Sequence, residues 1–241
     1  VILYAQWIDS TYQIAYNANG GSGGPDGATA TDGSTYTIDP IQPVRPGYTF
    51  GGWKLQDGTP TNATLITSGT KTFTVSGNEL LIAQWSIKTI NVTYDLNGGG
   101  GTTPNPQSGN YNTNITLASS SGVNRSNYQF VGWSTTPDGS GPTYADGSSF
   151  KLPTDDVILY AKWAPVYYII EYNPAGGIGE PADQFATPTS TVSLATQEPT
   201  KDGYEFEKWT EVVQGTNFTP GGSLTMPSSN VMLVANYTVK A

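Results

Sequence analysis

Three landmarks return along the chain at nearly constant spacing, and this recurrence constrains the fold more than any local propensity does. An alternating segment running into glycines, Tyr12, Ile14, Tyr16 then Gly20-Gly21, returns as Ile90, Val92, Tyr94 then Gly98-Gly99 and as Tyr168, Ile170, Tyr172 then Gly176-Gly177, each step 78 residues. An aromatic cluster, Tyr48-Thr49-Phe50-Gly51-Gly52-Trp53, returns as Tyr128, Phe130, Trp133 and as Tyr204, Phe206, Trp209, at spacings of 80 and 76. A closing segment, Leu81, Ala83, Trp85, returns as Leu159, Ala161, Trp163 and Leu233, Ala235, Tyr237, and also precedes the others as Leu3, Ala5, Trp7. Such a chain is a series of small like units, each burying its own aromatic residues. The pattern predicts repeats at 8–85, 86–163 and 164–241. Four closing segments against three openings predict that residues 1–7 are the closing strand of a preceding repeat.

Within a unit the elements read as strands. The opening segment alternates apolar and polar positions, as a half-buried antiparallel strand does. A shorter strand is predicted around Tyr36 and Ile38, Ile115 and Leu117, or Val192 and Leu194. The crossover that follows holds Pro40, Pro43 and Pro46 in the first unit and Pro199 in the third, which limits it to at most a short helical turn. In the aromatic cluster Tyr and Phe share a face, but Phe and Trp are three apart. An inward Trp therefore requires a bulge, which Gly51-Gly52 would permit. The closing segment is apolar on both faces, with Tyr4, Ile82, Tyr160 and Val234 opposite the Leu-Ala-Trp row, so it should lie inside its sheet.

Composition removes whole classes of chemistry. The 241 residues include no His and no Cys, so imidazole or thiolate nucleophiles, the corresponding metal sites and disulfides are excluded. Ten Lys and Arg against 19 Asp and Glu give a net charge of −9 with no basic stripe, which disfavours nucleic acid and anionic membrane. No apolar run of about 20 residues that could insert in a membrane is present.

A Tyr-x-x-x-Gly-Gly opening, a Gly-Tyr-x-Phe-x-x-Trp middle and a Leu-x-Ala-x-Trp end, in that order and three times over, resemble the Listeria–Bacteroides repeat family, the B-repeat of internalin-like surface proteins. Asn127 in place of Gly, Glu207-Lys208 before Trp209 and Tyr237 for the final Trp depart from the pattern. The resemblance implies an α+β, predominantly β fold: three tandem β-grasp-like domains in a linear array, each a mixed sheet wrapped about a short helix or turn. It implies a stalk in a secreted or wall-anchored microbial protein, adhesin-like and without catalysis or cofactor.

Each candidate feature has a plainer reading beside a functional one. Tyr16, Tyr48, Phe50, Trp53, Trp85, Tyr94, Tyr128, Phe130, Trp133, Trp163, Tyr172, Tyr204, Phe206 and Trp209 could stack on sugar rings. Their recurrence at fixed positions favours core anchors instead. Tyr4 and Tyr160, opposite the core row, are the better candidates for contact with a glycan or host receptor. Neighbouring repeats of the same chain are further expected partners. Asp155-Asp156 would face opposite ways on a strand, so a solvated turn is favoured over an acid–base pair. Asp26, Asp32, Asp57, Asp138 and Asp146 read as turn residues and leave calcium open only as an alternative, since no Asp-x-Asp-x-Asp-Gly ladder is present. Asn-x-Ser/Thr sequons occur at Asn62, Asn91, Asn114, Asn124, Asn217 and Asn236. Lys54, Lys71, Lys88, Lys151 and Lys201 share no register that an isopeptide crosslink would need. Glu198, Asp202, Glu205, Glu207 and Glu211 form an acidic group around the third cluster, read as a solvated face with a docking patch as the alternative. Core landmarks recur while surface residues do not, which favours a spacer over a shared binding site. A binding module and a carboxylate-only glycosidase are the competing hypotheses.

Overall fold

The computed structural model describes residues 1–57, 64–66 and 72–241. Asn62 and Lys71 lie outside the described residues, as does the Asp57 side chain. Among the described residues the chain is all strand, turn and irregular segment, with no helix. The α+β expectation is corrected accordingly. In place of a helical turn, the crossover is extended and bonded to the exit of the glycine turn. Ser22 and Val44 exchange both backbone hydrogen bonds, at 2.8 and 2.9 Å, as do Ile178 and Thr200, at 2.9 and 2.8 Å. Proline-rich backbone thus meets its hydrogen-bonding needs with a partner segment instead of with itself.

Contacts divide the chain into two compact units. The first comprises Val1–Tyr94, Asn105–Ala118 and Gly147–Ile158. It contains a five-stranded sheet in the order Ala28–Thr31, Thr11–Asn17, Glu79–Ile87, Tyr48–Asp57, Thr64–Ile66. The opening and closing strands run parallel at its centre, with Tyr16 opposite Leu81, and the remaining pairs are antiparallel. Ile14, Ile38, Trp53, Val75, Leu81 and Ala83 form the core. In the same unit Thr89–Asp95 pairs antiparallel with Gln107–Asn110, and Asn114–Thr116 with Ser149–Lys151.

The second unit comprises Asp95–Pro104, Ser119–Asp146 and Leu159–Ala241. Its complete sheet has the same order: Gln184–Ala186, Tyr168–Asn173, Val231–Val239, Tyr204–Glu211, Asn217–Phe218, again with the opening and closing strands parallel. Ile170, Tyr172, Trp209, Leu224, Met226, Val231 and Leu233 lead its core. Tyr128–Ser134 pairs antiparallel with Val157–Pro165 and with Thr143–Tyr144.

In the sheets of the first and third repeats the closing strand lies inside, as its two apolar faces predict. The bulge required by the Phe-x-x-Trp spacing is present three times, between Phe50 and Gly52, Phe130 and Gly132, and Phe206 and Lys208. The irregular spacing thereby becomes one packed row. Phe50 meets Trp53 and Trp85 with ring centroids 5.2 and 5.6 Å apart, Phe130 meets Trp133 and Trp163 at 5.0 and 5.6 Å, and Phe206 meets Trp209 and Tyr237 at 5.1 and 6.1 Å. Most of these contacts are edge-to-face, the arrangement ring quadrupoles favour.

The closing aromatic residue locks each repeat. The Trp85 indole N–H donates to Ala18 O at 3.0 Å, the Trp163 N–H to Leu96 O at 2.9 Å, and the Tyr237 hydroxyl to Pro174 O at 2.7 Å. All three acceptors belong to the glycine turn after the opening strand. The second glycine of that turn lies flat under the ring: a Cβ on Gly21 would stand 2.6 Å from Trp85 Cζ2, and one on Gly99 2.5 Å from Trp163 Cζ2. Gly99→Ala should therefore cost about 1–3 kcal/mol, the usual range for overpacking. Gly77→Ala, whose Cβ would meet nothing within 4 Å, should be neutral or stabilising. Urea unfolding midpoints of the two variants check this, and equal midpoints would contradict the lock.

Candidate functional site

The recurrent aromatic residues fall into three groups by environment. Trp53, Trp133, Trp209, Tyr94 and Tyr172 are buried. Tyr16, Phe50, Phe130, Phe206, Trp85 and Trp163 are half-buried against them. Tyr48 is also half-buried, but Tyr128 and Tyr204 are 38% and 39% exposed, which corrects their expected place in the core. A cation three residues upstream lies over each of the three rings. Arg45 lies over the Tyr48 ring at 4.0 Å from its centroid, Arg125 over Tyr128 at 4.2 Å and Lys201 over Tyr204 at 5.2 Å. A face covered by a cation need not be covered by the core.

Two of these cations also bind the glycine turn. Arg45 Nη1 donates to Asn19 O at 3.3 Å and Lys201 Nζ to Ala175 O at 2.9 Å. The position is legible in the sequence as Arg/Lys-x-x-Tyr, once Arg and Lys are counted together. Comparing lysines alone conceals the register of Lys201 with Arg45 and Arg125.

The opening-strand tyrosines carry a second recurrent network. The Tyr94 hydroxyl donates to Gln107 Oε1 and accepts from Ala118 N at 2.9 Å, and Tyr172 does the same with Gln184 and with Ala195 N at 3.0 Å. Gln107 and Gln184 pass the connection to Thr116 O and Ser193 O at 2.9 and 3.0 Å. In the first repeat Tyr36 takes the glutamine's part, its hydroxyl 3.3 Å from that of Tyr16. Burial pushes the Tyr16, Tyr94 and Tyr172 phenols above their ordinary range, so they stay neutral. These are structural hydroxyls, held in donor and acceptor roles together.

The paired carboxylates do not converge. Thr154 Oγ1 donates to Asp155 Oδ2 at 2.9 Å, and Lys88 Nζ lies 3.2 Å from Asp155 Oδ1. Asp156 instead caps the opening strand, accepting from Asn91 N at 2.8 Å and Asn91 Nδ2 at 3.2 Å. Asn78 and Asn230 perform the same task for Gln13 N and Ile169 N, at 2.9 and 3.1 Å. Asp146 binds Ser120 N and Oγ at 2.9 and 2.6 Å, and Asp138 is held at about 2 by hydrogen bonds from Thr136 and Ser140. Among the described residues no group of three or more Asp or Glu is placed to hold a metal ion. The acidic group of the third repeat also divides. Glu211 is buried and caps Val213 N and Gln214 N, while Glu207 pairs with Lys208 at 3.2 Å. A cavity of about 190 Å³ beside Glu211, Phe218, Leu224 and Val231 is smaller than the ~300–1,000 Å³ of ordinary ligand pockets.

Tyr4 and Tyr160 differ sharply. Tyr4 is 82% exposed, within residues 1–10 that form no strand, whereas Tyr160 is half-buried opposite Ser134. The contact role expected for Tyr160 thus has only part of a ring to work with. Among the sequons, Asn91 is occupied with Asp156, and the Asn236 amide donates to Thr210 Oγ1 at 2.6 Å.

The model of the Listeria-Bacteroides repeat domain matches residues 12–84, 91–162 and 168–236. The chain belongs to the Listeria-Bacteroides repeat family. A protein of Evansella cellulosilytica named "Putative membrane protein" is 36% identical over 165 residues, 68% of this chain and 24% of that protein. Internalin H of Listeria monocytogenes is 29% identical over 114 residues, 46% of this chain and 19% of that protein. The chain thus spans about a quarter or less of the length of these relatives. The family's departures here leave the geometry intact. Asn127 adopts φ +65° beside +75° and +80° for Gly47 and Gly203, Lys208 keeps the bulge, and Tyr237 keeps the hydrogen bond of the tryptophans.

Asp156 offers a test of the capping role. Its hydrogen bonds with Asn91 pull its carboxyl below the ordinary range, so its stabilisation is full above about pH 4 and is lost as the pH falls through the lowered value. Asp156→Asn, the residue type already at positions 78 and 230, should leave stability near neutral pH unchanged and remove that acid dependence. Thermal unfolding of both proteins between pH 7 and 2 reads the difference. An unchanged acid limb would contradict it.

Proposed function

We propose that this chain is a non-catalytic segment of a microbial surface protein, a tandem-repeat stalk that spaces an adhesive or enzymatic head from the cell. The observation that carries the proposal is the contrast between what recurs and what does not. The aromatic row, the glycine lock, the cation over the cluster tyrosine and the strand-edge cap recur down to individual hydrogen bonds. The exposed groups differ: Phe185 is 65% exposed where the first repeat has Thr29, and Val213 is 86% exposed in a turn capped by the Glu211 carboxylate. Three copies of one framework with three different surfaces fit a spacer better than a repeated binding site. The kinship to an internalin and to a protein named for the membrane supports a place at the cell surface, and the sheet order with parallel central strands supports the β-grasp-like reading. Residues 1–7, VILYAQW against VILYAKW at 157–163, fit the end of a further repeat.

The second reading, a module that binds glycan or a host receptor, draws on Phe185, which stands on the edge strand Gln184–Ala186, and on nearby Tyr167, 59% exposed. Small-angle scattering with and without calcium and a glycan panel separates the two. A stalk gives a maximum dimension on the order of 100 Å, taking compact-domain scaling for three units in line, and no response to any additive. A glycan-dependent change of shape that Phe185→Ser abolishes would put the binding module first.

A further inference from the structure

The passage from the first repeat to the second leaves no free linker. The Lys88 N–H donates to Gly47 O at 3.0 Å, and Lys88 O accepts from Tyr111 N at 2.9 Å. One residue is therefore bonded on one side to the aromatic cluster of the first repeat and on the other to a hairpin turn of the second. The Tyr111 side chain closes the same junction. Its ring meets that of Tyr48 edge-on, with centroids 6.1 Å apart at 72°, and lies so near Gly47 that a Cβ there would stand 2.1 Å from Tyr111 Cδ1. Gly47 is buried beneath it, at φ +75°.

The receiving half of this junction is built into every repeat. Asn127 O accepts from Val166 N at 2.9 Å and Gly203 O from Lys240 N at 3.0 Å, matching Gly47 O and Lys88 N. In the third repeat the backbone has the same turn, with Gly203 at φ +80° and Lys201 over the Tyr204 ring. There the surface is open. Gly203 is exposed, a Cβ on it would meet nothing within 4 Å, and Tyr204 is 39% exposed.

We propose that Tyr111 is a plug and Gly47-Tyr48 its socket, a fixed joint between the first and second repeats, and that the open Gly203-Tyr204 socket accepts the same turn from a further repeat that has an aromatic residue at the position of Tyr111, where the third repeat itself has Pro188, which offers neither a ring nor an N–H. The occupant follows from continuity with the junction already filled in this chain. Glycine is needed in the filled socket for two separable reasons, a left-handed backbone and absence of a side chain, and only the first applies at Gly203. The joint stands whether or not the chain is a stalk.

The chain has no cysteine, so two introduced ones can carry spin labels cleanly. With labels at the exposed positions 37 and 116 of the full chain, pulsed electron–electron distance measurement should give one narrow distribution. Tyr111→Ser, in a surface turn, should abolish the narrow peak, as should Gly47→Ala. Gly203→Ala, at a similar φ but in open space, should lower the urea unfolding midpoint less than Gly47→Ala does, which separates backbone strain from loss of the plug. A broad distribution in the parent, or a narrow one surviving Tyr111→Ser, would overturn the joint. For the open socket, a copy of residues 89–163 is placed directly after Lys240, with labels at position 191 and at the copied Thr116. A narrow peak that Gly203→Ala destroys is the expected result. A broad peak, or one indifferent to Gly203→Ala, would show that the third socket takes no such partner.

Discussion

One hydrogen bond holds each repeat in register: the polar tip of the closing aromatic residue donating to a carbonyl of the opening glycine turn. It joins positions 67 residues apart in the first repeat, Trp85 and Ala18, and does so at the edge of the aromatic row. The ring must lie almost on the backbone to reach that carbonyl, which is why the second glycine of the turn can carry no side chain. With the ring fixed there, Phe50, Phe130 or Phe206 has a surface to pack on, and the buried Trp behind it has a fixed neighbour. The exchange of Trp for Tyr in the third repeat shows that the requirement is for a flat ring with a donor at its end.

Much of this was legible in the sequence, for identifiable reasons. Phe and Trp three apart cannot both face inward from a regular strand, so a bulge followed from geometry alone, and it occurs even where Lys208 stands in place of glycine. A closing strand apolar on both sides had to have neighbours on both sides. The edge strands Ala28–Thr31, Gln107–Asn110 and Gln184–Ala186 escaped notice because they carry little apolar alternation. Two of the three are tied to the core through a glutamine and a tyrosine hydroxyl, an attachment that hydrophobic periodicity does not register. The parallel pairing of first and last strands was hidden for another reason. It joins residues 65 apart, such as Tyr16 and Leu81, and no local spacing encodes it.

The cations over Tyr48, Tyr128 and Tyr204 show how a core landmark can be misread. Recurrence placed these tyrosines with the tryptophans, yet they recur for a surface reason: each forms the floor of a cation contact beside the glycine turn. Fixed position in a repeat indicates a fixed environment without saying whether that environment is dry. The carboxylates make the complementary point. The sequence favours a solvated turn over an acid–base pair at Asp155-Asp156, and the equivalence of Asp156 with Asn78 and Asn230 adds what the spacing could not show, that the position needs an acceptor for a strand-edge amide and has no need of charge.

The parallel pairing at the centre of the first and third sheets has a mechanical consequence. The chain enters a repeat along the opening strand and leaves along the closing strand, which lie side by side and point the same way. Tension applied through the chain therefore pulls these neighbours in opposite directions along their length. Their hydrogen bonds are loaded together, in shear, and cannot be peeled one by one as in a hairpin pulled from its open end. A repeat of this topology should resist load as a unit and yield in a single event, visible in single-molecule pulling as one sharp force peak per repeat. A gradual, low-force extension would show that the central strands do not bear the load.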